Sequence, residues 1–421
     1  MTWAVVLFWV PLALLAWVYL GYPLVAALAA RVRPFQLEPS VDGPTLVTVG
    51  IAAHNEAHVL EARLENVLQQ AVPFAIEVFV ASDGSTDSTA DLIRRMAEAD
   101  PRIHLVDLPR VGQSEAQNGI FEQSTGDIVV LSDADTRFDQ GCLAALVAPF
   151  SDPRIGATTG RLSWFAAADS ATARDEGAYW RYEQLIRRWE SRAEWLTAVT
   201  GAVLAVRRSS YRPIPSHASM DQLLPLEAAA RGLVVLEVAG ATATERPVAN
   251  FHAQFRNRTR TATQGIRANL SMARHLAPWR RPAASLAIWS HKLLRWATPI
   301  LLFLSAIGAL VLTVTGSPWY VLAIAAGLIL VGLAGFGWLL TPTRAMPRWA
   351  SFPFSVVVVN LAFLSAWLNV VRGRRIEAWH RTAWDVRSGA DPAPVAVAAP
   401  AADVAGRDAS GLRSDHTTDP R

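Results

Sequence analysis

Three acidic clusters hold the residues best suited to chemistry. Asp133-Ala134-Asp135 closes a β-branched apolar run, Asp127 to Ser132, that is too short for a helix. As a buried parallel strand, this run brings both carboxylates to its carboxyl end, where open α/β sheets bind ligands. One carboxylate can orient a ligand while the other holds a divalent cation through oxygen. Asp83 lies in a second such turn, Ser82-Asp83-Gly84-Ser85-Thr86-Asp87, and Asp221 sits at the start of a short helix near Ser219-Met220-Asp221. Each has a plainer alternative. Asp shapes turns, caps helices, and, like a first-turn Glu such as Glu56, suits a helix dipole. Arg256, Arg258 and Arg260 can bind a diphosphate or face water or lipid. Trp180 and Trp189 can stack on sugar rings, although core packing is the favoured reading.

Composition narrows the class. Of 421 residues 52% are hydrophobic and 16 are Trp, with only 18% charged, so apolar segments accompany a soluble domain. A net charge of +3 is too small for a nucleic-acid partner. The lone Cys142 excludes an internal disulfide framework and any multi-cysteine metal site; it reads as a small buried residue. The histidines show no metal-ligand spacing.

The elements that position these residues alternate strand and helix. Strands are expected at Leu46–Ala52, Ile76–Ala81, Ile103–Val106 and Asp127–Ser132, with a helix capped by Asn55 and another over Gly112–Gln123. Repeated βα units imply a doubly wound, mostly parallel sheet whose acidic loops share one edge. Less regular elements follow: strands at Ile155–Trp164, Ala198–Val206 and Leu233–Leu236, and a helix over about Asp175–Glu194. From His252 to His275 the chain is basic and amphipathic, suited to an anionic membrane surface.

Residues 2–30 lack charge and are long enough to span a bilayer. Arg31 and Arg33 follow them, which places the N-terminus outside and the next domain in the cytoplasm. Trp296–Thr315, Ser317–Leu340 and Ser351–Val371 are further spans. Three of them would leave the tail outside, whereas Arg372, Arg374 and Arg375 place it inside. One segment is therefore expected to be re-entrant or interfacial, the last being favoured because Pro353 and Asn360 interrupt it. The expected organisation is an N-terminal span (1–33), a catalytic domain (44–250), basic interface helices (251–295), C-terminal spans (296–371) and a disordered tail (389–421).

Taken in order, these motifs resemble the membrane-bound family 2 glycosyltransferases with a GT-A catalytic fold. The nearest are the cellulose-synthase-like and poly-N-acetylglucosamine-synthase-like bacterial enzymes. The resemblance runs from Tyr19-Leu20-Gly21-Tyr22-Pro23 to the last span. Ala52-Ala53-His54-Asn55-Glu56 stands where the family has its Pro-Ala-Tyr-Asn-Glu nucleotide loop, which implies donor contacts at Ala53 and Glu56. Asp83 matches the carboxylate at the base, Asp133 and Asp135 the DxD for sugar-nucleotide and metal, and Asp221 the catalytic aspartate. Thr200-Gly201-Ala202 resembles the acceptor-side segment, and Arg256 and Arg260 would face the diphosphate.

The resemblance implies an inverting enzyme of the bacterial inner membrane that uses Mg²⁺ or Mn²⁺. It would move sugar from a cytoplasmic nucleotide-diphosphate sugar to a glycan or lipid-linked acceptor of the cell envelope. Three positions depart from the family. Gly112-Gln113 replaces Gly-Lys, Ser219-Met220-Asp221 has one carboxylate, and Gln254-Phe255-Arg256-Asn257-Arg258 replaces Gln-x-x-Arg-Trp. The last favours single addition over processive synthesis. The other two leave room for a catalytically inactive, nucleotide-binding scaffold subunit. A transporter is weakest, because the spans hold no charge to mark a pathway.

Overall fold

A computed structural model describes residues 2–40, 43–164, 171–245, 251–340 and 347–374. The tail beyond 389 lies outside the described residues. The chain opens with helix α1 (Thr2–Val32), which passes through a π-helical turn at Trp17–Gly21. Then come β1 (Leu46–Ala53), α2 (Ala57–Leu68), β2 (Ala75–Asp83), α3 (Thr89–Ala99), β3 (Ile103–Leu108), α4 (Gln113–Gln123) and β4 (Ile128–Asp133). A two-residue strand β5 (Arg137–Phe138) and helix α5 (Cys142–Val147) lead into β6 (Ile155–Trp164), α6 (Ala171–Arg192) and β7 (Leu204–Arg207). Helix α7 (Met220–Ala230), β8 (Val234–Glu245) and the basic helix α8 (Phe251–Met272) complete the sheet region.

The eight strands form one sheet in the order β3-β2-β1-β4-β7-β6-β8-β5. β3, β2, β1 and β4 are mutually parallel, as the βα repeat predicts. β1 is covered on both faces, which explains its near-continuous apolar sequence. Val47, Val49 and Ile51 lie in the core with Leu60, Leu64 and Val67 of α2, while Ala52 joins Ala116 and Ile120 of α4. Cys142 is fully buried on α5, the small core residue expected.

The second half is mixed. β7 runs antiparallel to both β4 and β6, and β5 antiparallel to β8, while β6 and β8 are parallel. The strand expected over Ala198–Val206 begins only at Leu204, because Gly201–Val203 takes a 3₁₀ turn. β8 continues well past Leu236 to Glu245. Asn55 does not cap α2. It adopts a left-handed φ of 58°, and its Oδ1 accepts the backbone N–H of Thr86 (2.7 Å) and Asp87 (3.2 Å), tying the β1 and β2 loops together.

Past the sheet lie α9 (Pro282–Trp296), α10 (Thr298–Val314), α11 (Pro318–Leu339) and α12 (Arg348–Val371). Among the described residues three helices, α1, α11 and α12, are long and apolar enough to cross a membrane. The pair α9–α10 makes a fourth if counted as one broken span, bent by 64°. The sharp bend lies in this pair, while α12 is continuous, with Pro353 accommodated near its start. α1 lies against α10, with Ala4 and Phe8 packed on Ala309 and Leu312. Its second half leaves α10 for α6, where Tyr22 and Ala26 pack with Ile186 and Ala287.

A buried polar clasp joins α6 to these helices. His291 sits between Glu190 (2.7 Å) and Glu183 (3.1 Å), and Arg295 and Lys292 reach Glu183 at 2.5 and 2.8 Å. Tyr22 donates its hydroxyl to Glu190 at 2.5 Å. Sheet and apolar helices thus pack as one unit.

Candidate active site

The carboxyl ends of the parallel strands carry two groups of residues. The first surrounds Asp83, the last residue of β2, whose side chain is fully buried. Oδ2 accepts from Arg110 at 2.6 Å, and Oδ1 accepts the backbone N–H of Val111 (2.6 Å) and Gly112 (2.9 Å). The carboxylate thereby shapes the β3–α4 loop. A nucleotide base reaching it would share it with those donors. His54 Nδ1 meets the Asp83 carbonyl at 2.8 Å. Ala53 is buried in the core at the end of β1. Glu56 stands half-buried at the start of α2, its backbone N–H donating to Thr89 at 2.9 Å.

The second group converges on a cavity of about 170 Å³ lined by Asp133, Asp221, Glu245, Arg260, Gln113 and Ser219, among others. β4 ends at Asp133, which accepts from Gln113 Nε2 at 3.2 Å; Ala134 turns inward and Asp135 is exposed. Gly201 reaches the same place because β4 and β7 pair up to Leu131–Leu204. A Cβ on Gly201 would approach the Asp221 Cβ to 3.1 Å, so a side chain there would press on the carboxylate. Asp221 is not the cap of α7; Ser219 holds that position, and its hydroxyl donates to Asp221 Oδ1. Arg260 lines the cavity from α8, whereas Arg256, one turn earlier, is exposed and does not. Trp189 packs beside Tyr22 and Ile186, in keeping with the core reading.

A larger cavity of about 550 Å³ lies at the opposite, amino end of β4, around Gly126, Asp127 and Arg208. The carboxylates do not converge there, and chemistry outweighs size in choosing the site.

Burial and repulsion set the electrostatics. Desolvation, then Asp135 and Asp221, push the Asp133 carboxyl up to about 7 against the pull of Arg260 and Arg63. Glu245, the last residue of β8, is pushed up to about 8 by burial and by Asp133 and Asp135. Arg63 lies beneath the DxD turn, buried, over the Phe138 ring at 4.1 Å and donating to Ser132 Oγ at 2.7 Å. Burial lowers its guanidinium to about 10, still charged at neutral pH. Glu245 and Arg63 do not stand out in the sequence motifs. Arg63 does leave one signal there: a charge on the apolar stripe Leu60, Leu64, Val67.

Clustered carboxylates raised by mutual repulsion suit a hard divalent cation, which would relieve that repulsion. Among the described residues no trio of His, Cys, Asp or Glu could hold a metal ion on its own. The fit is therefore to an ion held by one or two carboxylates and completed by substrate phosphates.

Residues 48–214 match the sequence model of Glycosyl transferase family 2. An N-acetylglucosaminyltransferase of Rhizobium meliloti (strain 1021) is 30% identical over 192 residues, 45% of this chain and 43% of that protein. A poly-beta-1,6-N-acetyl-D-glucosamine synthase of Staphylococcus aureus (strain COL) is 34% identical over 122 residues, 29% of each chain. The matched segments thus span less than half the length of these relatives. A mannosyltransferase from Pyrobaculum calidifontis, solved with GDP-Man and Mn²⁺, superposes with a TM-score of 0.65 at 22% identity, covering 88% of this chain and 100% of that one. Sheet order, motif order and these likenesses agree: residues 48–214 are similar to glycosyl transferase family 2, and the chain shares the fold of the solved mannosyltransferase.

Proposed function

We propose that the protein is an integral-membrane, metal-dependent, inverting glycosyltransferase. It moves a sugar, N-acetylglucosamine by the names of its relatives, from a nucleotide-diphosphate donor to a glycan or lipid-linked acceptor of the cell envelope. The carrying observation is one cavity that gathers Asp133, Asp221 and Arg260 at the carboxyl edge of the sheet, next to exposed Asp135.

In this reading the Asp83 loop seats the base, with Ala53 and Glu56 at its edge. Asp133 and Asp135 would hold Mg²⁺ or Mn²⁺. Bound there, the ion supplies Lewis-acid stabilisation of the leaving diphosphate. Arg260 faces the same charge from α8, with Arg256 one turn out toward solvent. Asp221 takes the proton of the acceptor hydroxyl, and the Ser219 hydroxyl fixes its orientation. A single base acting on the face opposite the leaving group gives inversion. Arg31 and Arg33 at the end of α1 support a cytoplasmic catalytic region in a bacterial-type inner membrane.

The test is a screen of nucleotide sugars for Mn²⁺-dependent release of nucleotide by the detergent-purified chain. UDP-N-acetylglucosamine is expected to respond, and Asp135→Ala to abolish the metal-dependent rate. Full turnover in Asp135→Ala with unchanged metal dependence would remove the metal assignment. Absence of transfer from every donor would favour the scaffold reading.

A further inference from the structure

Glu245 lies outside the motifs that carry the family assignment, yet it lines the same cavity as Asp133, Asp221 and Arg260. Its position is fixed by the sheet. β8 pairs with β5, the two-residue strand that follows the DxD, with Arg137 opposite Thr244. Thr136, directly after the DxD, donates its hydroxyl to Glu245 Oε1 at 2.6 Å. The carboxylate is thus held from the metal-side turn while its strand belongs to the opposite half of the sheet.

Packing alone gives no reason for this residue. A carboxyl group beside two aspartates in a desolvated pocket costs free energy that an apolar side chain of similar volume would not. We propose that Glu245 is a sugar-binding residue, its carboxyl group hydrogen-bonding ring hydroxyls of the donor sugar. The proposal rests on the glycosyltransferase reading and names the part of the donor that Asp83, Asp133 and Asp135 do not account for. A carboxyl oxygen accepts hydrogen bonds from hydroxyls whether or not the group is ionised, and it offers a diphosphate no cationic partner. The sugar must lie between the diphosphate side at Asp133 and the base at Asp221, and Glu245 lines that space. Thr136 occupies one lone pair of Oε1 and sets the rotamer, so the remaining acceptor sites are pre-aimed. Hydrogen bonds to a carboxyl group held in one orientation are directional, which gives this residue leverage over which hydroxyl pattern is admitted.

The test compares Glu245→Gln with the unmodified full chain in detergent and Mn²⁺, titrating UDP-N-acetylglucosamine and UDP separately. UDP-glucose and GDP-mannose (against GDP) are alternates if the first pair does not bind. Gln keeps the Thr136 hydrogen bond at its carbonyl oxygen and replaces the other carboxyl oxygen by an NH₂ group that only donates. Expected is about a 10- to 100-fold loss of affinity for the nucleotide sugar, with affinity for the nucleotide diphosphate unchanged within about twofold. Equal loss for both ligands would place Glu245 on the metal or diphosphate and overturn the proposal, as would no loss for either. Thr136→Val, which frees the rotamer but keeps the carboxyl group, is expected to give a smaller loss of the same selectivity, and covers the case in which Glu245→Gln fails to fold. The control Asp135→Ala should lose both ligands. If the unmodified chain binds no nucleotide sugar at all, the glycosyltransferase reading falls with this one; if it binds and Glu245→Gln is silent, only the role of Glu245 falls.

Discussion

Asp221 owes its freedom to act to two neighbours: Gly201, which leaves room for its side chain, and Ser219, which orients it. As the proposed base it should be separable from donor binding. Asp221→Asn is expected to lower kcat by about 10²- to 10⁴-fold while donor KM stays within a few-fold; steady-state kinetics with varied donor checks the split. The acidic cluster also fixes a pH dependence. Asp133 and Glu245 titrate near 7 and 8 in the folded chain against ordinary values of 3.8 and 4.5, so they retain protons that the unfolded chain releases. Their contribution to stability is full below the ordinary carboxylate range and is lost as pH rises through about 7 to 8. The metal-free protein should therefore unfold at progressively lower temperature as pH rises across that window, and Mn²⁺ should offset the loss at its upper end. Thermal scans with EDTA and with Mn²⁺ decide this; a flat profile without metal would contradict the electrostatics. At this scale Asp133, Asp135 and Asp221 are legible in sequence, because each follows a recognisable strand or begins a helix. Glu245 and Arg63 are not, since only the pairing of β5 with β8 and the inward face of α2 bring them to the DxD.

Elements were legible where one force dominates. The parallel strands β1 to β4 follow from apolar runs alternating with helical periodicity, and the helices from Pro282 onward from sheer apolar length. The reversal at β7 was not legible, because strand direction depends on where a chain returns, and no local pattern encodes that. The break between α9 and α10 did leave a trace in Pro299, in the first turn of α10, where a missing N–H costs nothing. Pro353 and Pro11 show why such a trace misleads: both lie inside helices that stay continuous. Helix contacts here are close enough to test. A Cβ on Gly308 of α10 would lie 2.6 Å from the backbone nitrogen of Phe8 on α1, and Ser305 donates to the Phe8 carbonyl at 3.1 Å. Small residues at such contacts let helix backbones approach where lipid gives no hydrophobic drive. Gly308→Leu should cost about 1–3 kcal/mol by overpacking, read as a lower unfolding temperature in detergent, with Gly308→Ala milder.

Across the whole molecule, composition announced a soluble domain joined to apolar helices but not how firmly the two are joined. The answer lies in the buried clasp of Glu183 and Glu190 with His291, Lys292 and Arg295, together with Tyr22. The two glutamates lie about a hundred residues from their cationic partners, and each of these charges reads singly as an ordinary surface charge. Glu183 is held well below the usual carboxylate range even though burial opposes ionisation, because Lys292, His291 and Arg295 outweigh it. The same helix turns Arg187 toward Thr200, to which it donates at 2.8 Å, next to the Gly201 that abuts Asp221. One helix thus touches both the apolar helices and the segment behind the proposed base.

α1 adds a measure of distance. Its 31 residues are continuous, which at 1.5 Å per residue makes a rod of roughly 46 Å, against a hydrocarbon core of about 30 Å. Its first half is matched to α10 and its second half to α6, so in the proposed membrane setting the surplus length works as a standoff. It sets the height at which the cavity meets an acceptor rising from the lipid. Inserting one residue after Gly21 would raise that height by only about 1.5 Å but swing Tyr22 about 100° around the axis, out of reach of Glu190. In that setting the site's altitude is quantised by helix phase.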